Sequence, residues 1–120
     1  METNYDALIQ ASADELFSKM EQKESAEDMA RLRDAFEFAR EAHLPQKRKS
    51  GEPYIIHPLY VAIILAGLEL DKETIAAGIL HDVVEDTVLT REQIAQRFGN
   101  DVALLVDGVT KLKKLKLSGD

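Results

Sequence analysis

Cysteine is absent from this sequence. That excludes disulfides and thiolate metal sites and leaves the redox compartment open. No apolar run approaches the ~20 residues of a membrane span, and the N-terminus, METNYDALIQ, lacks a signal-peptide pattern. No membrane association and a cytoplasmic location are therefore expected. Positive charge is also short: the net charge is −7 and the isoelectric point is near 5.0. A duplex nucleic-acid binder needs a basic face, so no nucleic-acid partner is expected. A phosphorylated small molecule needs only local positive charge, which Lys47, Arg48 and Lys49 supply. Alternating strand patterns, internal repeats, linkers and low-complexity tracts are missing too.

What is present is helical periodicity. The 120 residues, 45% hydrophobic and 31% charged, suffice for one globular domain with a modest core. Apolar spacing predicts a first helix from about Tyr5 to Met20. A second follows Ser25, an N-cap with Asp28 three positions on, and carries Met29, Leu32, Ala35, Phe36 and Ala39 on one stripe. It fades near His43, because Pro45 disfavours helical geometry in the residue before it. Two prolines and a glycine in PQKRKSGEPYII make residues 45–56 a loop. His57-Pro58 opens a third helix through about Leu70, Asp71 caps a fourth over about Lys72 to Asp86, and Thr90 with Gln93 forms a capping box for a short fifth. Asn100 caps a sixth, which runs into KLKKLKL. The expected fold is all-α, with five to six helices.

The fourth helix contains GILHDVVEDT, where His81, Asp82, Glu85 and Asp86 are the only ionisable side chains. At about 100° per residue, Glu85 falls near 40° from His81, Asp82 near 100° and Asp86 near 140°. Ile79, Val83, Ala76 and Leu80 fall opposite, at about 160° to 260°. An amphipathic surface helix has the same pattern, so a solvated face is one reading. The composition favours another. A solvated face mixes bases with acids, yet this sector has three acids and no base, and Asp82 and Asp86 repel at i, i+4 unless a cation compensates. Imidazole with carboxylate suits Mn, Fe, Co, Ni or Zn better than Ca. His57, beside two isoleucines and a proline, reads alone as a packed core histidine, but with the HD pair it becomes a third ligand. Three ligands leave positions for water and substrate. His43, near a helix C-terminus, is most simply a cap residue.

Three stretches, RKSGEPYIIHP, LHDVVEDT and LVDGVTKL, occur in order between Arg48 and Leu112. Together they resemble the hydrolase domain of the bifunctional RelA/SpoT family, which makes and degrades (p)ppGpp and belongs to the HD phosphohydrolases. The resemblance implies an HD-type helical bundle that hydrolyses ppGpp or pppGpp to GDP or GTP and pyrophosphate in the stringent response. It implies His57, His81 and Asp82 as three of four metal ligands, with Mn²⁺ as the usual ion. Glu85 and Asp86 match the catalytic acidic pair at the water and the 3′ phosphoester. Arg48, Lys49 and Ser50 match the substrate-binding loop that contacts the guanine nucleotide, with the arginine stacked on the base. VDGVTKL matches the next helix of the nucleotide cleft.

The family's fourth ligand is an aspartate on a later helix, and this chain reaches Asp120 before any such segment. Residues 1–120 are accordingly expected to form a partial HD hydrolase domain, a truncated fragment with weak or no activity, without the family's synthetase and regulatory domains. Two alternatives stand beside this reading: an HD phosphohydrolase acting on another nucleotide, and a non-catalytic helical module for regulation or interaction.

Overall fold

The computed structural model describes residues 5–86 and 90–119, with side chains described except at 84–86, 110 and 112–119. Every regular element among them is a helix: α1 (Tyr5–Glu21), α2 (Ala26–Ala42), α3 (Ile56–Gly67), α4 (Lys72–Asp86), α5 (Arg91–Phe98) and α6 (Asn100–Gly119). The all-α expectation holds.

Local chemistry explains most of the boundaries. The Ser25 hydroxyl accepts the Asp28 N–H at 3.1 Å and starts α2. At α5, the Thr90 hydroxyl accepts the Gln93 N–H at 3.2 Å, while the Gln93 amide oxygen accepts the Thr90 N–H at 2.8 Å, completing the capping box. Two ends differ from the sequence reading. α3 stops at Gly67, short of Leu70, because the Leu70 N–H turns back to Leu65 O and the Glu69 N–H to Ala66 O. That pairing is a Schellman motif, and it puts Glu69 in the left-handed region at φ 60°. At α6, Asn100 lies inside the helix and not at its cap, since Ala103 N–H already bonds to Gly99 O at 3.2 Å.

Asp71 caps α4 through its carboxylate, which accepts the Thr74 N–H at 2.8 Å. Hydrogen bonds from the Thr74 side chain and backbone hold this carboxyl below the usual carboxylate range. The unfolded chain therefore binds that proton more tightly than the folded one. The resulting stability is present above about pH 4, the ordinary carboxylate value, and is lost as pH falls through the lowered folded value. Asp71→Ala is expected to cost about 1 kcal/mol at neutral pH. Urea melts should show the gap between parent and variant narrowing in acid; a gap independent of pH would contradict the charged cap.

The helices are arranged around α4, which packs against α2, α3 and α6, while α1 closes the far side of α3 and α2. Every residue from Ile75 to Val83 is buried. Gly78 marks a close approach, since a Cβ there would lie 2.7 Å from Leu65 Cδ1 of α3. Arg97 of α5 grips Asp34 of α2 through two hydrogen bonds, of 2.7 and 3.1 Å. Among the described residues no helix is long and apolar enough to cross a membrane.

Candidate metal centre

The burial of α4 decides what its ionisable residues are. A solvated face would leave His81 and Asp82 in water, yet they are 4% and 1% exposed. The solvated-face reading fails for this pair, because neighbouring helices cover the sector that periodicity alone leaves open. Burying a carboxylate is costly unless it is paired or coordinates an ion.

The Asp82 carboxylate has partners on three sides. Its Oδ2 lies 3.2 Å from His81 Nε2, 3.6 Å from His57 Nε2 and 3.1 Å from the Tyr54 hydroxyl, which donates to it. His57 reaches this point from the first turn of α3, where its N–H bonds to Tyr54 O at 3.0 Å. Its ring centroid is 5.8 Å from that of His81. Donor atoms from His57, His81 and Asp82, one from each, lie within 4.8 Å of one another.

The donor chemistry fits a divalent transition-metal ion. His81 Nδ1 is 2.6 Å from Gly78 O, a carbonyl that can only accept. Nδ1 therefore carries a hydrogen, which leaves Nε2, on the side of Asp82 and His57, as the ring atom able to bind an ion. Two ligand atoms about 2.1 Å from one ion, at tetrahedral or octahedral angles, lie roughly 3.0–3.5 Å apart. The spacings from Asp82 Oδ2 to the two imidazoles need only a small adjustment to meet that.

Arg48, Lys49 and Ser50 lie on a small hairpin that the sequence reading treats simply as a loop. Gly51 N–H bonds to Arg48 O, Arg48 N–H to Glu52 O and Tyr54 N–H to Gln46 O, with one β-bridge between Lys47 and Pro53. Gly51, at φ 95°, takes the left-handed position that this tight reversal needs. Lys49 and Ser50 occupy its exposed tip. Arg48 turns back: its guanidinium carbon is 6.0 Å from the Tyr54 ring centroid, and its Nε is 3.5 Å from Glu52. The side chains of Glu85 and Asp86 lie outside the described residues.

Tyr54 escaped the sequence reading, although the only signal available was an aromatic three residues before His57. His43 caps the C-terminus of α2, as expected. Its backbone N–H makes the cap bond to Ala39 O, while its side chain is 1% exposed, with Nδ1 2.6 Å from Gln46 Oε1 and the ring 5.0 Å from that of Tyr54. A separate cleft of about 280 Å³ lies between α2, α4 and α6. It is lined near α4 by Lys72, Glu73 and Ala76, away from the histidines, and Lys72 is paired there with Glu73 and Asp28.

A family model described as HD domain matches residues 35–118, more than half of the chain. The chain belongs to the HD domain family. HD domains depend on a metal, in keeping with the clustered histidines and aspartate. The resemblance to RelA/SpoT enzymes is borne out by curated relatives. The guanosine-3′,5′-bis(diphosphate) 3′-pyrophosphohydrolase of Aquifex aeolicus is 59% identical over 86 residues, which is 72% of this chain and 12% of that protein. The bifunctional (p)ppGpp synthase/hydrolase SpoT of Escherichia coli is 56% identical over 90 residues, 75% of this chain and 13% of that protein. A GTP pyrophosphokinase of Myxococcus xanthus is 50% identical over 91 residues, 76% of this chain and 12% of that protein. The chain thus spans about an eighth of the length of these relatives.

Proposed function

We propose that this chain carries the metal site of a (p)ppGpp 3′-pyrophosphohydrolase, acting in the cytoplasm with Mn²⁺ as the ion. The observation that carries this reading is the convergence of His57, His81 and Asp82 from two helices on one point, beside the Arg48 hairpin. The relatives' names include both hydrolase and pyrophosphokinase. A group of two histidines and a carboxylate favours hydrolysis for this segment, and it counts against a purely non-catalytic module. The RKSGEPYIIHP stretch favours a guanine nucleotide over the substrates of other HD phosphohydrolases.

In this reading His57 Nε2, His81 Nε2 and Asp82 Oδ2 hold the ion. When bound, such an ion polarises a phosphoryl oxygen and lowers the pKa of a bound water. Glu85 accepts the proton of the attacking water, with Asp86 orienting it. The new bond forms between the water oxygen and the phosphorus attached to the 3′ oxygen. The bond from that phosphorus to the 3′ oxygen breaks, the 3′ oxygen takes up the proton that Glu85 removed from the water, and pyrophosphate leaves while the nucleotide keeps a 3′ hydroxyl. Arg48 stacks on the guanine, and Lys49 and Ser50 contact the nucleotide from the hairpin tip.

Pyrophosphate release measured with Mn²⁺ on ppGpp, with GTP and dGTP as controls, tests the reaction. In a chain long enough to supply the fourth ligand, release from ppGpp alone is expected. Equal release from GTP or dGTP would move the chain to another HD phosphohydrolase activity, and no release from any of them would favour the non-catalytic reading. Arg48→Lys should weaken nucleotide binding about 5-fold, since the stacking of a planar guanidinium is worth roughly 1 kcal/mol. Arg48→Ala should weaken it further by removing the charge. If calorimetry showed the lysine variant binding as tightly as the parent, Arg48 would be acting only as a charge.

A further inference from the structure

We propose that Tyr54 is a positioning residue shared by the two halves of the site, holding Asp82 with its hydroxyl and supporting Arg48 with its ring. The proposal rests on reading His57, His81 and Asp82 as metal ligands, and it deepens that reading. Asp82 Oδ2 is the oxygen nearest both imidazoles, and the Tyr54 hydroxyl donates to this same atom at 3.1 Å. Rotation about the last bond of an aspartate is soft, so a free carboxylate would swing either oxygen toward an ion. A neutral donor on Oδ2 fixes that rotation while leaving the negative charge in place. Outer hydrogen bonds of this kind commonly set metal affinity.

The ring does separate work. Three other groups meet it: the Arg48 guanidinium at 6.0 Å, the His57 ring at 5.9 Å and the buried His43 ring at 5.0 Å. The backbone of Tyr54 bonds to Gln46 O on one side and accepts from His57 N–H on the other. The residue therefore joins the base of the hairpin to the first turn of α3. An aromatic face behind a guanidinium limits its directions and favours the planar pose that stacking on a purine needs. One side chain thus orients a ligand of the ion and the group that meets the base.

Phenylalanine and leucine substitutions separate the two roles. Mn²⁺ titration and GDP binding in the absence of metal are the measurements, on a parent chain long enough to supply the fourth ligand and on both of its variants. Tyr54→Phe should weaken Mn²⁺ binding roughly 10-fold, the lower end of the effect of losing an outer hydrogen bond, and should leave GDP binding at the parent value. Tyr54→Leu should weaken Mn²⁺ binding as much and lower GDP affinity several-fold. A merely structural tyrosine would lower both affinities together in the phenylalanine variant, and that result overturns the proposal. So does a phenylalanine variant that binds Mn²⁺ like the parent, or a folded leucine variant that binds GDP like the parent. A parent that binds no Mn²⁺ would overturn the metal reading and this proposal with it. A parent that binds Mn²⁺ yet releases no pyrophosphate from ppGpp would overturn the reaction alone, and the two titrations would still decide the role of Tyr54.

Discussion

Replacing His81 with alanine is expected to abolish divalent-metal binding. Its Nδ1–H is committed to Gly78 O at 2.6 Å, so the side chain offers its Nε2 lone pair to the centre and nothing else. The backbone of a buried helix aims that lone pair, and the ring is only 4% exposed. After truncation to alanine, no rotamer of the remaining methyl replaces it. Substitutions in the outer shell typically cost 10- to 100-fold in affinity, so losing a ligand itself should exceed roughly 100-fold. Mn²⁺ titration followed by electron paramagnetic resonance reads this directly. Helical circular dichroism of the metal-free variant shows whether α4 survives. Binding within a few-fold of the parent, in a variant that remains helical, would remove His81 from the ligand set.

The second large effect is on turnover. In a chain long enough to be active, Glu85→Gln should lower pyrophosphate release from ppGpp by roughly 10²-fold or more, the usual contribution of a general base, while sparing metal affinity. Glu85 follows His81 by four residues on α4, so the two share one face of the helix. Glutamine keeps the size and the hydrogen-bonding shape of glutamate but cannot take up a proton from water. His81→Ala and Glu85→Gln should thus lose activity for different reasons, distinguishable in one pair of titrations. If Glu85→Gln lost the metal as completely as His81→Ala, the division between ligands and base would be wrong.

Much of this was legible in the linear chain, for a physical reason shared by the successes. Helix starts at Ser25, Asp71 and Thr90 depend on bonds between residues three or four apart, and the pattern that makes them is visible in a short window. His81 and Asp82 are neighbours on one helix, so their common sector was also readable. The end of α3 was not. It depends on Glu69 accepting a left-handed conformation with no glycine to announce it, while Leu68 and Leu70 prolong the apolar pattern past Gly67.

By itself, the sequence determined that the chain is helical, where most helices begin, and which side chains are able to bind a metal. Those properties come from periodicity, local capping and the chemistry of each residue. Only the tertiary structure decided whether the polar sector of α4 meets water or protein, since an amphipathic pattern is the same in both cases. Packing against α2, α3 and α6 buries His81 and Asp82, and the turn out of the hairpin brings His57 to them from 24 residues away. Tyr54 reaches Asp82 across 28 residues by the same fold. Contacts at that separation leave no local spacing to read, because the intervening backbone path, and not the order of residues, sets the distance between side chains.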